Sequence, residues 1–465
     1  MDWIEAAPHS DRIACLPMNT SRLLFIAQTL TMLVGTPCAQ AQQQDSGVTD
    51  ANHVRETARR SFPLHRAQWQ DDLRRSAQQA SAPMRTIRLD LDAVYATDPS
   101  EIATNIDLLI ERLNILRPSA VMVQAFADPE GDGLIRQVYF PTSELPMRAN
   151  LFQRVVSAIQ TRVTKPLHVY AWMPVLSFEL EGLPHVLEMT ENGQRRIDPQ
   201  QYRRLTPFDP TVRARIQAIY RAMATSVTRL DGVAFHDDLL MSDFEDVSDP
   251  ALAAMRAAGF GADILALRHD HDRSLAWARV KGRFMNAFSQ ELMTVVRAVH
   301  GPNVRSARNL FIEPVLNPDS EEWYGQNLGD CLASYDYVMP MLMPYMEGVR
   351  QPEAIQRWML RAVERVRSYP NGLAHTIFEL QAEDWGGGNR RGAHWISTET
   401  LKGWMDDLLR MGGQHLGYYP DDVYTNHPRQ QRIRAIMATS SSAMRRDNGD
   451  LSSVQPEETL NNASN

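Results

Sequence analysis

A dense block of acidic residues follows a short apolar segment near the middle of the chain. Residues 233–235 are apolar and lead into His236, Asp237 and Asp238, and the acidic block continues to Asp249. Crowded carboxylates raise one another's pKa, so this pattern predicts a carboxyl group that keeps its proton near neutral pH. Two carboxyl groups flanking a sugar linkage are the usual equipment for cleaving a glycosidic bond. A solvated acidic loop is the alternative interpretation.

Aromatic residues recur where apolar segments of the sequence end. One aromatic residue in such a place more often belongs to the core. A set on one face favours a carbohydrate groove, because a flat ring can stack on the apolar face of a sugar. An acidic groove suits a cationic glycan better than a neutral one. The set comprises Tyr170, Trp172, Tyr345, Trp385, Tyr418 and Tyr419.

The elements that must position these residues alternate between β-rich runs and amphipathic stretches. Eight β/α units over about 350 residues predict the α/β class and a closed, single-domain (β/α)8 barrel with long loops. A doubly wound open sheet is the alternative, because periodicity does not distinguish the two. The predicted strands are 86–94, 120–127, 167–174, 232–236, 304–310, 335–343, 374–380 and 415–419. The predicted helices lie near 101–116, 149–163, 210–229, 274–299, 353–367, 398–411 and 429–440, with a weaker signal near 319–332.

A (β/α)8 barrel carries its chemistry at the carboxyl ends of its strands, and the unusual residues of this sequence fall there. Asp90 and Asp92 end the first predicted strand. Asp237 ends the fourth, Glu379 ends the seventh, and Glu347 follows the sixth. The barrel prediction therefore places these carboxyl groups around one opening.

Composition excludes several other classes of protein. The 56 acidic and 48 basic residues give a formal net charge of −8, so we expect no nucleic-acid partner. Of three cysteines, Cys331 is the one that follows the predicted cleavage site, which excludes an internal disulfide. The sequence has no G-x-S-x-G, Walker or H-E-x-x-H motif. We expect neither a metal ion nor a cofactor.

The two ends of the chain have a different character from its centre. Arg22, the apolar run 23–35 and the Ala-Gln-Ala sequence 39–41 predict a cleaved signal peptide over 1–41 and a periplasmic or secreted protein. Cys38 follows a proline rather than a small residue, so we do not expect a lipid anchor there. We predict a linker over 42–83, the barrel domain over 84–441 and a disordered tail over 442–465.

The sequence resembles the C-terminal glycoside hydrolase domain of the PgaB family. The segments that carry the resemblance are 89–92, 124–129, 170–174, 235–238, 240–246, 307–309, 343–348, 379–382 and 417–421, and they are collinear over residues 84–440. The resemblance implies a (β/α)8 hydrolase that cleaves partly deacetylated poly-β-1,6-N-acetyl-D-glucosamine, a biofilm exopolysaccharide. It also implies that Asp237, the first aspartate of the His-Asp-Asp motif, is the leading catalytic candidate.

One departure from this family affects the expected activity. The family places a metal-dependent deacetylase domain before the barrel. Only about forty residues separate the predicted signal peptide from the first strand, too few for a domain. The Thr-Phe-Asp-Asp-Gly-type motif and the paired metal histidines of the deacetylase are also absent from the sequence. We therefore expect a hydrolase rather than a deacetylase.

These observations define an expected site. The catalytic candidates are Asp237, Asp238 and Glu379. The expected substrate-binding residues are Asp90, Asp92, Tyr170, Trp172, His236, Asp243, Glu245, Arg308, Asn309, Tyr345, Glu347, Trp385, Tyr419 and Asp421. Either Glu347 or Glu379 acts as base or nucleophile opposite Asp237, or the N-acetyl group of the substrate attacks the anomeric carbon.

A second function is compatible with the same residues. The domain could be a non-catalytic glycan-binding module that guides the polymer to an outer-membrane export protein. The aromatic residues and acids would then bind the polysaccharide without cleaving it.

Overall fold

The computed structural model describes residues 83–385 and 394–438. The predicted signal peptide, the linker up to residue 82, the Gly-rich loop at 386–388 and the predicted tail lie outside the described residues. Eight parallel strands form a closed barrel. They are β1 (Arg85–Leu89), β2 (Ala120–Gln124), β3 (His168–Met173), β4 (Gly232–Phe235), β5 (Arg305–Leu310), β6 (Tyr337–Leu342), β7 (Ile377–Gln381) and β8 (His415–Tyr419).

Closure of the barrel confirms the predicted (β/α)8 architecture and excludes the open sheet. β1 pairs in parallel with β2 and also with β8, so the sheet has no edge strand. The first two strands are shorter than predicted. β1 ends because the Asp90 side chain accepts the N–H groups of Asp92 and Ala93 and caps a short helix, Leu91–Val94. Beyond β2, Phe126–Ala127 leaves the barrel and pairs with Gln137–Val138.

Eight principal helices of the described chain follow the strands. They are α1 (Pro99–Leu116), α2 (Leu151–Arg162), α3 (Pro210–Thr225), α4 (His271–His300), α5 (Leu328–Ser334), α6 (Pro352–Arg367), α7 (Thr398–Arg410) and α8 (Gln430–Met437). α1 and α3 begin with the same local chemistry. Asp98 and Asp209 accept backbone N–H groups at the first turn, and a proline occupies the first helical position.

The loops between the strands and the principal helices contain shorter elements. Helices Asp249–Ala257 and Ile264–Arg268 follow β4 and were not predicted, because nine and five residues are too few for a clear helical periodicity. The weak helical signal between β5 and β6 corresponds to several pieces rather than one helix. They are Glu313–Leu316, the 3-10 turn Pro318–Ser320, Glu321–Tyr324 and α5. A second 3-10 turn, Gly372–His375, lies between α6 and β7. Two small hairpins pair Glu188–Met189 with Arg195–Arg196 and Glu383–Asp384 with His394–Trp395. No helix of the described ranges is long and apolar enough to cross a membrane.

A buried ion pair fastens the end of the barrel to its first helix. Arg112 of α1 donates from two nitrogens to the two carboxylate oxygens of Asp421, each over 2.7 Å. Tyr418 of β8 also donates to Asp421, over 2.6 Å. Asp421 was expected to bind substrate, but the structure commits both of its oxygens to holding the exit of β8 against α1.

The Arg112–Asp421 pair yields a prediction about stability. In Asp421→Asn the buried guanidinium loses its counter-charge, so the free energy of unfolding should fall by about 3–5 kcal/mol. Glu399→Gln is the matched control, because Glu399 pairs with Arg432 at the surface, where both side chains are more than half exposed. That variant should change stability by about 1 kcal/mol or less. Urea unfolding measures both, and equal shifts would contradict the account.

Candidate active site

Arg88 connects three strands across the inside of the barrel. Its Nη2 donates to Asn309 Oδ1 of β5 over 2.7 Å and to Glu379 Oε2 of β7 over 2.8 Å. It also lies 2.7 Å from Glu379 Oε1. Asn309 completes the triangle by donating to Glu379 Oε2 over 2.7 Å. The structure thus brings Asn309 and Glu379 together, as expected, around an arginine that sequence reasoning did not single out.

The electrostatics of Glu379 link this triangle to Asp237. Burial raises the pKa of Glu379, Arg88 and Asn309 oppose that rise, and the negative charge of Asp237 adds to it. Asp237 therefore lies near enough to Glu379 for their charges to interact. This is the proximity that the strand-end argument predicted.

Asp237 forms a close pair with the residue before it. His236 Nδ1 lies 2.6 Å from Asp237 Oδ1, and both side chains are buried. Burial lowers the pKa of His236, but the contact with Asp237 and the negative charge of Asp238 together outweigh burial, and the net pKa is raised. The other oxygen, Oδ2, faces the hydroxyl of Tyr202 at 3.5 Å. Tyr202 comes from a long loop between β3 and α3, and no feature of the sequence pointed to it.

Asp238 has entirely different partners. Its carboxylate accepts the backbone N–H groups of Val175, Leu176 and Ser177, the shortest contact being 2.6 Å to Leu176. These three residues follow β3. Asp238 therefore fixes the exit of the neighbouring strand, and the structure does not place the two adjacent aspartates in one environment.

Four rings form a continuous layer across the barrel opening, which we call the aromatic floor: His236, Trp172, Tyr419 and Trp385. His236 stacks on Trp172 with centroids 5.3 Å apart, and Trp172 meets Tyr419 edge-on at 5.6 Å. Tyr419 stacks on Trp385 at 6.3 Å. The Arg88 guanidinium lies over Trp172, 4.4 Å from the ring centre, so the floor rests on the buried triangle.

Other residues of the acidic block hold their own loop in place. Glu245 is buried in an ion pair with Arg204, 2.8 Å away, and Asp243 pairs with Arg268 at 2.5 Å. Arg308, expected at the site, donates to the backbone oxygen of Leu239 over 2.6 Å and is fully buried. A buried lysine, Lys281 of α4, donates to the backbone oxygens of Ser242 and Glu245. The structure thus assigns this block largely to loop architecture.

A second polar network lines the side of the opening formed by β1 and β2. Asp92 accepts hydrogen bonds from Tyr139, Gln124 and the backbone of Asp128, over 2.6 to 2.9 Å. Burial and the nearby Asp90 raise the pKa of Asp92 to about 7. Burial also raises the pKa of Asp128 to about 6. Asp128 was not among the expected site residues, although its position after β2 was a usable signal.

Two of the remaining expected residues, Tyr170 and Glu347, lie away from the aromatic floor. Tyr170 is buried inside the barrel, where its ring occupies the space that a side chain at Gly232 would need. The structure does not bring Tyr170 to the aromatic floor. Glu347 is exposed in the loop after β6, away from the aromatic floor.

Tyr345 shares the loop of Glu347. Its backbone N–H donates to Gln381 of β7 over 2.8 Å, and its ring packs against Trp404.

Within residues 83–385 and 394–438, no cluster of three or more His, Cys, Asp or Glu side chains could hold a metal ion.

A closed (β/α)8 barrel that carries carboxyl groups beside an aromatic floor at its strand ends has the architecture of a glycoside hydrolase. Residues 88–419 match the family described as Hypothetical glycosyl hydrolase family 13. The chain belongs to this family and is related to the glycoside hydrolase domain of PgaB.

Relatives of known name and structure agree with this assignment. The PgaB (BpsB) glycoside hydrolase domain from Bordetella bronchiseptica is 40% identical, with a TM-score of 0.71, over 77% of this chain and 100% of that one. Poly-beta-1,6-N-acetyl-D-glucosamine N-deacetylase of Escherichia coli (strain K12) is 40% identical over 78% of this chain. The match covers 53% of that protein, so the chain spans about half of its length. A beta-galactosidase from Bacillus circulans sp. alkalophilus shares the fold at 10% identity, with a TM-score of 0.51 over 77% of this chain and 55% of that one.

The aromatic floor yields a prediction for Trp385. This ring is partly exposed and stacks on Tyr419, so Trp385→Ala should weaken polymer binding by about 1–3 kcal/mol, by analogy with base–aromatic stacking. The melting temperature should change little. Trp385→Phe keeps a stacking ring and should recover most of the affinity. Calorimetry with polymer measures binding, and a large loss of melting temperature with unchanged affinity would show that Trp385 is a core residue.

Proposed function

We propose that this protein is an endo-glycosidase that hydrolyses partly deacetylated poly-β-1,6-N-acetyl-D-glucosamine, with Asp237 as the general acid. One observation carries the proposal. The Asp237 carboxyl group lies at the opening of the barrel, paired with His236 of the aromatic floor and within electrostatic reach of Glu379. The named substrate of the Escherichia coli relative supports this choice of polymer.

The His236–Asp237 pair supplies the proton. At 2.6 Å the two groups titrate together, so the proton belongs to the pair rather than to either residue. Their attraction keeps that proton to higher pH than an isolated imidazole would. Asp237 then transfers it to the oxygen that leaves the anomeric carbon.

The second group in the reaction is better supplied by the substrate than by Glu379. Both Glu379 oxygens lie within 2.8 Å of Arg88, and Asn309 also donates to one of them, so neither is well placed to attack. In the proposed step the acetamido oxygen bonds to the anomeric carbon as the bond to the leaving oxygen breaks. Water then opens the cyclic intermediate and returns a proton to Asp237.

The proposal extends to the setting of the reaction. The carboxyl groups around the barrel opening would attract the ammonium groups of glucosamine units, which supports partly deacetylated polymer as the proposed substrate. We further propose that residues 1–41 direct export and that an outer-membrane export protein is a partner.

The export proposal predicts a mature N-terminus near Gln42, which mass spectrometry of the purified protein would measure. An acylated Cys38 at the N-terminus would contradict this prediction.

Asp237→Asn tests the central proposal. The amide keeps the size of the side chain but cannot donate an acidic proton. Release of reducing ends from partly deacetylated polymer should therefore fall by a factor on the order of 10². Asp249→Asn is the control, because Asp249, the last acid of the block, begins a helix and pairs at the surface with Arg195.

Two outcomes would contradict the proposal. Cleavage by Asp237→Asn at the wild-type rate would show that Asp237 is not the acid. If the wild type and Asp237→Asn both bind polymer tightly and neither releases reducing ends, the result would favour the glycan-binding module.

A further inference from the structure

Each carboxylate oxygen of Asp237 has its own neighbour, one adjacent in sequence and one from the loop between β3 and α3. His236 approaches Oδ1 at 2.6 Å, and the Tyr202 hydroxyl faces Oδ2 at 3.5 Å. Tyr202 is 7% exposed, so its hydroxyl sits in a largely enclosed space. A buried hydroxyl beside a carboxylate oxygen has a natural acceptor for its proton.

The Tyr202 ring is fixed on two sides. It lies edge-on to His236, with the ring centres 5.8 Å apart. On another side it touches the backbone of Gly133, where an added Cβ would overlap the ring. Gly133 also has a φ of +73°, a conformation that other residues rarely adopt. Two independent contacts thus hold the hydroxyl toward Asp237.

We propose that Tyr202 is a positioning residue for Asp237, with its hydroxyl donating to Oδ2 while His236 holds Oδ1. The inference rests on the proposed role of Asp237 as the acid. A separation of 3.5 Å is longer than the usual 2.7–2.8 Å of an O–H···O bond. Catalytic hydrogen bonds of this kind often tighten when substrate closes the site. The shorter bond would then fix the orientation of the Asp237 carboxyl group.

The charges around the pair determine the sign of a pH effect. Asp238 and Arg88 also act on His236, Glu379 interacts with Asp237, and Asp128 lies on the β2 side of the imidazole. A hydroxyl that donates to Oδ2 stabilises the carboxylate and weakens the hold of the pair on its proton. Loss of the hydroxyl should therefore keep the acid protonated to higher pH.

Tyr202→Phe removes one oxygen atom and tests this role. We expect kcat to fall about threefold to tenfold, the effect of losing one hydrogen bond, while KM changes less than about twofold. The alkaline limb of the pH profile of kcat/KM should move to higher pH by up to about one unit. The melting temperature should stay close to that of the wild type.

Tyr369→Phe is the matched control. It removes a hydroxyl that accepts a hydrogen bond from Arg365 on the outer helix α6, so activity and pH profile should not change. Gly133→Ala is a second test that leaves Tyr202 itself intact. The added methyl group would overlap the ring, so this variant should also lower kcat and move the alkaline limb in the same direction. Its melting temperature is measured as well, because alanine at a φ of +73° also strains the backbone.

The outcomes separate this inference from the proposed function. If Tyr202→Phe leaves kcat and the alkaline limb unchanged while Asp237→Asn loses cleavage, the positioning role is wrong and the hydrolase stands. If Tyr202→Phe loses activity and thermal stability together with no movement of the limb, its role is structural and the inference is also wrong. If Asp237→Asn cleaves polymer normally, both are overturned.

Discussion

The site depends on one buried cation, the Arg88 guanidinium. From β1 it reaches Asn309 on β5 and Glu379 on β7, and its flat face lies over Trp172 of β3. A buried charge is tolerated only when it is paired and hydrogen-bonded, so these contacts must form together. His236 stacks on Trp172 and contacts Asp237, so the position of Arg88 and its two partners also determines the position of Asp237.

Adjacent aspartates can serve opposite purposes because the chain direction at a strand end sends consecutive side chains to different sides. Asp237 faces the opening and pairs with His236, whereas Asp238 turns to the backbone after β3. Glu245 and Asp243 are likewise held by other parts of the chain, through ion pairs with Arg204 and Arg268. Buried Arg204, Arg308 and Lys281 bind the carbonyl groups and carboxylates of the loop after β4. The acidic block is thus mainly a rigid support for one reactive carboxyl group.

The fold was predictable from sequence because strand and helix periodicities repeat in order, and β8 was predicted at its observed bounds, His415–Tyr419. The approach of Asp237, Glu379, Trp172 and Tyr419 to one opening followed from their positions at strand ends. Residue type did not reveal depth, so Tyr170, two residues before Trp172 on the same face of β3, was expected at the site but lies deeper in the core. Arg88 and Tyr202 were missed because their partners are distant in sequence and no local pattern marks them.

Mass analysis of the products formed from polymers of defined acetylation tests the central claim most directly. Hydrolysis predicts oligosaccharides with new reducing ends whose combined mass exceeds that of the parent chain by one water for each bond cleaved. The acetylation pattern next to the cleaved bond should include an N-acetyl group on the sugar whose anomeric carbon is attacked. Polymer that binds but keeps its length would contradict the account.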